Sequence, residues 1–568
     1  MKKVSVKMQD NVLSKIKSYY EKAKASTSYQ KWYQEQQKAW AFYDGEQWTE
    51  EEKSTLEGNG QPAIVINKLS SKIDNIAGSE IASRTRFFYR SRSGEKREEE
   101  TARALSDVAL YIAEKNDQGL EVSNMFKEGL VSGIAWLDTG VEKSEEGPSI
   151  FNRYEKSSDV IWDQNFKRAD YSDARFICRE KWLDLETCKL MFPKAYQKLT
   201  GQAQQSAAPK QFYQKAAYDV QYQNTDDNTH LVVEVQFKQT EKSYKMTTPT
   251  GKVFQTFDKK IAYANRDYEV EESFKSRVYV GYFSGDVLLD VKALPYNFNN
   301  FTLIPYIYKR DHRDGRPYGL LRAAIDPQRE LNKRRSKAMH LLNTAQVIAD
   351  IDAVDDPNLL AKEAARPDGV ILKRPGKDLR IIRNSDLAAS QVNVMEQASR
   401  DIQEVIGLFD ESIGKHSNAT SGIAIHQRQR ASAMNQMFAF DGLRRTKKLL
   451  GLRVLSMLRQ FFSHQMVIQI TDKLGASNAV QLNMPVTDEN GKPMTDENGK
   501  TLKHNDVSLG VFDILVEEVK DVLSSREMEV EQLNLLIQAG VPVPAKFLVN
   551  ATNLKNKDEI LQSIEQST

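Results

Sequence analysis

The amino-acid sequence predicts an α+β protein that is mostly helical and is divided into about two to four structural regions. Two observations lead to this class. Apolar residues recur at the helical period early in the chain and again after residue 325, whereas residues 134–310 show the alternation that is typical of strands. The length of 568 residues exceeds what one hydrophobic core usually serves.

The first third of the chain is predicted to be helical. Ile66, Leu69 and Ile73 follow helical spacing, which indicates a buried stripe. A further helix is expected from about Ser93, because Leu105 and the apolar residues after it keep the same period. Acidic residues occupy the first turn of this helix, where they suit the helix dipole.

The middle of the chain is predicted to form short strands separated by turns. The strand-like stretches are residues 134–142, 149–156, 159–163, 172–182, 231–237, 252–257, 277–284, 286–294 and 303–310. The polar, Gln-rich residues 201–228 interrupt them and are predicted to be a loop. The region up to about Arg310 is therefore expected to be α+β.

A different module follows this region. Asp326 and Pro327 are suited to open a helix, which is predicted to continue to about Ile348. The later elements are predicted as strand-like pieces at 369–376 and 378–384, a returning helix at about 391–409, a loop, a long helix at 423–462, and strands at 466–470 and 511–519. The duplication "TDENGKPMTDENGK" predicts a β-hairpin tip, and the capping box at Ser524 predicts a final helical segment.

The charge balance argues against tight DNA binding by the whole chain. The 80 Lys and Arg against 78 Asp and Glu leave a net charge of +2, whereas a dedicated duplex-binding protein has a clear basic excess because phosphate neutralisation supplies most of its affinity. Cys178 and Cys188 are too few for a disulfide framework and match no zinc spacing, so a reducing compartment is expected. The sequence predicts neither a signal peptide nor a membrane span.

No motif in the sequence predicts catalysis, a metal site or a cofactor. The loop "IGKHSNATSG" fails the phosphate-loop pattern, because Phe409 and His416 stand where Gly and Ser or Thr are needed. Asp488 and Asn490 alternate as in a calcium loop, but the stretch before Pro493 is too short, and a plain turn is the better interpretation. The histidines are scattered singly. We therefore expect a protein that is not an enzyme.

The basic stretch "IDPQRELNKRRSKAMHLLN" raises the question of DNA contact. Arg329, Lys333 and Lys337 lie four residues apart and form one stripe. A second face, suited to packing, holds Leu331, Ala338, Leu342 and Ala345. The stripe is open to three interpretations: a solvated face, a helix that reads a DNA groove, or one arm of a hairpin formed with the returning helix. A groove reader needs a small basic domain, so the hairpin is favoured.

The order of several motifs resembles one known family. The motifs are "FYDGEQW", "GQPAIVINKLSSKIDNIAGSEIASR", "FKEGLVSGIAWLDTG", "SSDVIWDQNFKRADYSDARF", "RPYGLLRAAIDPQRELNKRRSKAMHLLN" and "NATSGIAI". Together they resemble the portal proteins of tailed bacteriophages, in the branch of short-tailed viruses, from about Tyr29 to the C-terminal helices. The resemblance implies a ring, typically of twelve subunits, at one capsid vertex around a channel through which DNA enters and leaves.

The resemblance also implies regions along the chain. They are a wing at 1–318, a first stem helix at 319–349, a small α/β clip at 350–387, a second stem helix at 388–410, a candidate tunnel loop at 411–422, a wing helix and strands at 423–523, and a short helical crown at 524–568. Some relatives end in a long helical barrel, and no such barrel is expected in this sequence.

Sites and partners follow from the same resemblance. The expected channel-lining residues are Arg329, Lys333, Lys337, Lys415, His416 and Asn418, and the expected partner-binding residues of the clip are Arg366, Lys373, Arg374 and Lys377. The implied partners are further copies of the chain, double-stranded DNA without sequence recognition, the large terminase subunit, head–tail adaptor and tail proteins, and the major capsid and scaffolding proteins. The implied location is the portal vertex of the virion, after assembly in the host cytoplasm.

Two alternatives stay open at the level of sequence. A different head–tail connector or tail component would share the ring but would not need a clip between two stem helices. A nucleic-acid-processing enzyme would need clustered carboxylates or a nucleotide loop, and the sequence predicts neither.

Overall fold

The computed structural model confirms a mixed α/β protein in which helical residues outnumber strand residues, at 47% against 28%. It describes residues 6–551 except for 145–146, 200–222, 225–228, 250–252, 266, 367, 384, 409–421, 463–465, 472–476, 488–492, 496–500, 508–511, 519–529, 531–532, 534–535, 539 and 541–543. The predicted hairpin tip at Asp488 and Asn490, the capping box at Ser524 and most of the predicted crown therefore lie outside the described residues.

The helices before residue 200 are α1 (Val6–Lys24), α2 (Thr27–Asp44), α3 (Glu50–Gly58), α4 (Leu69–Ala82), α5 (Lys96–Lys115), α6 (Gln118–Ser132) and α7 (Leu185–Met191). The later helices are Lys259–Ala262, Ile325–Asn343, Pro357–Ala365, Ser385–Ile406, Gly422–Phe461 and Ala545–Ala551, and short 3-10 turns lie at Ser157–Asp159 and Leu320–Ala323. We name three of them: Ile325–Asn343 is the basic helix, Ser385–Ile406 the return helix, and Gly422–Phe461 the long helix.

The strands are β1 (Thr85–Ser91), β2 (Ile134–Ser144), β3 (Gly147–Glu155), β4 (Val160–Trp162), β5 (Phe176–Asp184), β6 (Gln223–Asn224), β7 (Thr229–Thr247), β8 (Val253–Thr256), β9 (Glu269–Ser284), β10 (Val287–Ala293), β11 (Leu303–Ile307), β12 (Lys309–Arg310), β13 (Pro317–Tyr318), β14 (Ala345–Ala349), β15 (Leu379–Arg383), β16 (Met466–Thr471), β17 (Ser477–Leu482), β18 (Met484–Pro485), β19 (Lys503–His504) and β20 (Phe512–Glu518).

The strands form two main antiparallel sheets and several two-stranded ribbons. The larger sheet has the order β10-β9-β7-β5-β4, with β6 and β8 also paired to β7. The smaller sheet has the order β11-β2-β3. One ribbon joins β1 to β20, which stand near opposite ends of the chain. The C-terminal part of the chain is therefore tied back to the early helical region.

Two large hydrophobic cores stabilise the two main sheets and the helices packed on them, which together we name the body. In the first, α4, α5, α6 and the long helix pack against the smaller sheet and bury Leu105, Phe126 and Leu450 completely. In the second, α1 and α2 cover the larger sheet, and Trp32 meets Trp162 edge to face with ring centroids 4.6 Å apart. Large buried aromatic and aliphatic side chains supply most of the burial free energy in such cores.

A buried ionic cluster joins the two sheets. Arg179 on β5 donates from Nη1 to Asp138 Oδ2 at 2.7 Å and to Glu155 Oε1 at 2.6 Å, and from Nη2 to Glu234 Oε2 at 2.7 Å. Burial acts to lower the pKa of Arg179, but the three carboxylates outweigh it and hold that pKa well above its usual value. One guanidinium therefore holds together carboxylates from β2, β3 and β7.

Two glycines place the end of α6 against the chain that leads into the basic helix. Gly133 follows α6 at φ +83°, and a Cβ there would lie 2.3 Å from the backbone carbon of Tyr318. A Cβ on Gly319 would lie 1.9 Å from the carbonyl oxygen of Val131. Because the obstacle in both cases is backbone, only glycine fits, and the start of the basic helix is held close to the body.

The structure corrects the predicted boundaries around the basic helix. The helix ends at Asn343 rather than near Ile348, because residues 345–349 form β14 and pair with β15. The N-cap is Ala324, without a side-chain hydrogen bond, so the prediction that Asp326 caps the helix was wrong. Such long-range strand pairing overrides a local helical pattern.

Other predicted elements are partly confirmed. The predicted strands between 134 and 310 are present, with β7 and β9 longer than expected. The strand predicted at 369–376 is absent from the described residues there, whereas the strand predicted at 378–384 corresponds to β15. The return helix begins at Ser385, earlier than expected, and the long helix matches its predicted bounds closely. Of the predicted Gln-rich loop only β6 is described.

Candidate functional site

A row of buried polar side chains fixes the basic helix on the body. Gln328, Asn332 and Ser336 lie four residues apart and are almost fully buried. They accept hydrogen bonds from alternate N–H groups of residues 61–68: Ile64 N–H to Ser336 Oγ at 3.2 Å, Ile66 N–H to Asn332 Oδ1 at 3.0 Å, and Lys68 N–H to Gln328 Oε1 at 3.2 Å. Four helical residues rise about 6 Å, close to the roughly 6.6 Å between alternate residues of an extended chain. The spacing of the three side chains along the helix therefore matches the spacing of the three N–H groups along the extended chain.

The role of this polar row was not predicted from the sequence. Its spacing was visible, but a polar row at helical spacing looks the same whether it faces solvent or a backbone segment. Only the fold brings residues 61–68 across the helix, where the row satisfies N–H groups that would otherwise be buried without an acceptor.

The cationic stripe lies beside this row and faces α3. Lys333 Nζ lies 3.4 Å from Glu52 Oε1, and Arg329 Nη2 lies 4.0 Å from the same oxygen. The Arg329 side chain is 34% exposed and that of Lys333 is 54% exposed, while Lys337 is exposed. Glu52 therefore balances the part of the stripe that carries Arg329 and Lys333, and Lys337 lies one turn further along the helix.

The pKa of Glu52 reflects this arrangement. Partial burial acts to raise that pKa, but a hydrogen bond from the Thr49 N–H and the charges of Lys333 and Arg329 lower it overall. The carboxylate is thus ionised at neutral pH and is a constant counter-charge to the stripe.

The packing face of the basic helix differs from the prediction. Leu331 and Ala338 are buried, as expected. Leu342, in contrast, is 66% exposed, and Ala345 belongs to β14 rather than to the helix. The helix pairs with the return helix partly through Arg334, whose Nη1 donates to Gln391 Oε1 at 3.2 Å. The hairpin interpretation of this module is therefore confirmed.

The cations expected to bind partners lie in the chain between the two helices, residues 344–384, which we name the connecting segment. Arg366 is exposed and lies 3.6 Å from Glu363 and 3.4 Å from Asp368. Arg374 pairs with Asp355, and Lys373 Nζ donates to the Lys377 carbonyl at 3.2 Å. These are surface contacts, which contribute little to stability and exchange easily.

The other expected channel residues, Lys415, His416 and Asn418, fall outside the described residues. The structure therefore places the stripe along the basic helix, and Arg366, Lys373, Arg374 and Lys377 in the segment that joins the two helices.

Large aliphatic side chains of the connecting segment are unusually exposed. Ile351 is 97% exposed and Leu372 is 83% exposed. Within the described part of this segment only Ala353, Leu360 and Ala364 are buried. So small a core cannot bury the other aliphatic residues. Exposed aliphatic residues in such number are typical of surfaces that bind another protein.

No group of His, Cys, Asp and Glu side chains in the described part of the chain is arranged to hold a metal ion. No helix among those residues is long and apolar enough to cross a membrane. Cys178 and Cys188 are both buried and free.

An α+β body that holds a helical hairpin, with exposed aliphatic residues at the turn of the hairpin, is typical of a structural subunit that packs against other protein chains. The profile of the phage P22-like portal protein family matches residues 18–568, and the chain belongs to this structural, non-enzymatic family.

A curated relative is similar over a shorter stretch. The portal protein of Helicobacter pylori bacteriophage KHP30 is 24% identical over 175 residues, which cover 30% of this chain and 29% of the relative. The alignment thus spans less than a third of that portal protein.

Proposed function

We propose that the chain is the portal subunit of a tailed bacteriophage of the short-tailed branch. In this proposal, copies of the chain form a ring at one capsid vertex, and double-stranded DNA passes through the ring during packaging, retention and ejection. The observation that carries the proposal is the family match over residues 18–568. The described geometry of the hairpin and its connecting segment agrees with it.

The regions of the chain are assigned accordingly. The basic and return helices are the two stem helices, and the connecting segment is the clip. The body, built from residues 1–318 and 423–523, is the wing, and residues 524–568 are the crown. The buried polar row of Gln328, Asn332 and Ser336 then joins the stem firmly to the wing.

The exposed aliphatic residues support a ring. In a ring of identical subunits each contact joins two different surfaces, so both sides of every subunit are covered. We expect Ile351 and Leu372, which are exposed in the single chain, to become buried at these contacts. Each large aliphatic side chain that leaves water then contributes about 1.5–3 kcal/mol.

The charge of the stripe suits a channel that DNA slides through. Tight phosphate binding would stall the duplex, and a near-neutral chain avoids the affinity that counterion release gives to a basic one. Lys333 and Lys337, repeated by rotational symmetry, would create a ring of modest positive potential. Because Glu52 balances part of each stripe, Lys337 is the stronger candidate for contact with DNA.

The clip cations suit docking of the terminase large subunit and of head–tail adaptor and tail proteins. Arg366 and Arg374 pair with carboxylates of their own chain at the surface. Partner carboxylates can replace these at little cost. The capsid and scaffolding proteins are proposed to contact the wing.

We expect neutralisation of the stripe to block DNA packaging without preventing ring assembly. In the variant Arg329→Gln, Lys333→Gln and Lys337→Gln the channel loses its positive potential, and Gln introduces no repulsion with Glu52. DNA-filled heads in infected cells should fall about tenfold or more, as measured by nuclease-protected DNA per capsid.

A matched control removes three exposed cations from the body. The variant Lys242→Gln, Lys245→Gln and Lys275→Gln changes the net charge equally and should package DNA normally. If the stripe variant and the wild type package equal amounts of DNA, the stripe does not line the channel. Loss of rings in the stripe variant alone would instead assign the stripe to subunit contacts.

A further inference from the structure

The return helix carries a row of exposed apolar side chains outside the connecting segment. Leu387 is 54% exposed, Val394 37% and Val405 46%. At about 100° per residue these three residues lie within about 20° of one another and about 60–80° to one side of Ile402, which is buried in the first core. We name Leu387, Val394 and Val405 the seam. The seam is thus an apolar flank of the helix that stays largely open to solvent in the single chain.

A groove of about 360 Å³ lies on the opposite flank of the return helix, where that helix, the basic helix and residues 61–68 meet. Its apolar lining consists of Ile66, Leu331 and Met395. The return helix contributes Met395 and Arg400 among others, and these two lie about 20° and 160° to the other side of Ile402. One helix therefore has an apolar seam on one flank and a partly apolar groove on the other.

The charged residues of the two flanks are complementary. Lys68, Glu396 and Arg400 line the groove, so its charged side chains leave one net positive charge. Arg400 is also the single cation in the sequence of the return helix. Asp401 lies on the side of the seam, about 20–40° from Val394 and Val405. An apolar flank with an acidic residue and an apolar groove with a basic excess attract one another across a protein contact.

A second copy of the chain is the partner that fits these two flanks. In a ring each contact joins two different surfaces, so one flank of a subunit meets the opposite flank of its neighbour. Rotation about the ring axis also keeps every residue at its own height along that axis. Val394 of one copy therefore meets the neighbouring copy close to the level of Met395 and Glu396, which line the groove.

We propose that the seam of one copy packs into the groove of the next copy. This pairing rests on the proposed ring and identifies a second contact surface within it, between the hairpins rather than between the connecting segments. The contact covers the apolar side chains of the seam with the apolar lining of the groove, and it places Asp401 near Lys68 and Arg400.

Disulfide cross-linking of assembled rings tests the pairing. In the full chain Val394→Cys is combined either with Glu396→Cys or with Ser399→Cys, and the rings are oxidised with copper phenanthroline. Positions two or five residues apart on a helix do not face each other, and Cys178 and Cys188 are buried, so no bond within one chain is expected. Denaturing gels without reductant should show a ladder of covalently joined chains for at least one pair. Each single variant is the matched control and should run as single chains, because the contact joins two different flanks.

A charge change gives an independent test. Val394→Lys together with Val405→Lys sets new cations against the positively charged groove. This variant should raise the protein concentration at half-assembly about tenfold or more, as measured by analytical ultracentrifugation. The control, Asn393→Lys together with Gln397→Lys, adds equal charge at exposed positions of the same helix and should assemble like the wild type.

Three results would overturn the proposal. They are rings of both cysteine pairs that give no ladder, equal assembly by the seam variant and its control, and a loss of stability in the dissociated chain of the seam variant. Urea denaturation measures the last of these, which would make the seam part of the fold of the subunit. Absence of rings in the wild type would instead contradict the proposed function, on which the pairing rests.

Discussion

Replacing Arg179 by Met is expected to lower the free energy of unfolding by about 3–5 kcal/mol. The change leaves the buried carboxylates of Asp138 and Glu234 and the partly buried carboxylate of Glu155 near one another without their shared guanidinium. An uncompensated buried charge costs far more than a lost surface pair. Urea denaturation of the dissociated chain measures the effect.

The control for this prediction is an exposed ion pair. Arg153 and Glu142 lie 2.7 Å apart, but their side chains are 57% and 49% exposed. Arg153→Met is therefore expected to change stability by no more than about 1 kcal/mol. Equal losses in the two variants would mean that the buried cluster has no special role in joining the sheets.

The pH dependence gives a second readout of the same cluster. In the wild type the pKa of Asp138 is lowered, because the attraction of Arg179 and hydrogen bonds outweigh burial. Its stabilisation is present above the unfolded pKa and is lost as the pH falls through the folded value. Without Arg179 burial would raise the pKa of that carboxyl instead, so the stability of Arg179→Met should recover, relative to neutral pH, as the medium is acidified.

Replacing Ile351 and Leu372 by Asp is expected to abolish ring assembly and to leave the fold of the subunit intact. Both side chains are almost fully exposed in the single chain, so the unfolding free energy should change by no more than about 0.5 kcal/mol. In a subunit contact each Asp would be buried without a partner, and assembly should weaken about a hundredfold or more. Sedimentation velocity separates rings from single chains.

The matched control for assembly is Leu190 on α7. It is 83% exposed, as Leu372 is, but it belongs to the body. Leu190→Asp should assemble normally. If it disrupts rings as strongly as the change in the connecting segment, the contact between subunits is not specific to that segment.

Local patterns explain which elements sequence analysis predicted well. The long helix was expected at 423–462 and is found at Gly422–Phe461. It could be predicted because its apolar residues keep a helical spacing over many turns. The strands of the two main sheets were predicted from the alternation of apolar and polar residues. The pairing of β1 with β20 was not predictable, since it joins segments separated by most of the chain and depends on packing against the long helix.

The candidate site shows the same limit. The positions of Arg329 and Lys333 on one stripe followed from spacing, whereas their shared neighbour Glu52 did not. Nothing in the spacing distinguishes a stripe that faces an acidic helix from one that faces DNA. The exposure of the aliphatic residues in the connecting segment could also not be predicted from sequence, because burial depends on which elements surround each residue in the fold.

Single-particle imaging of the purified full chain tests the central claim most directly. The proposed function predicts closed rings with a central opening that admits a DNA duplex, with Ile351 and Leu372 at the contacts between subunits and Lys337 towards the opening. Single chains, dimers, or rings in which the connecting segment lies away from every subunit contact would contradict it.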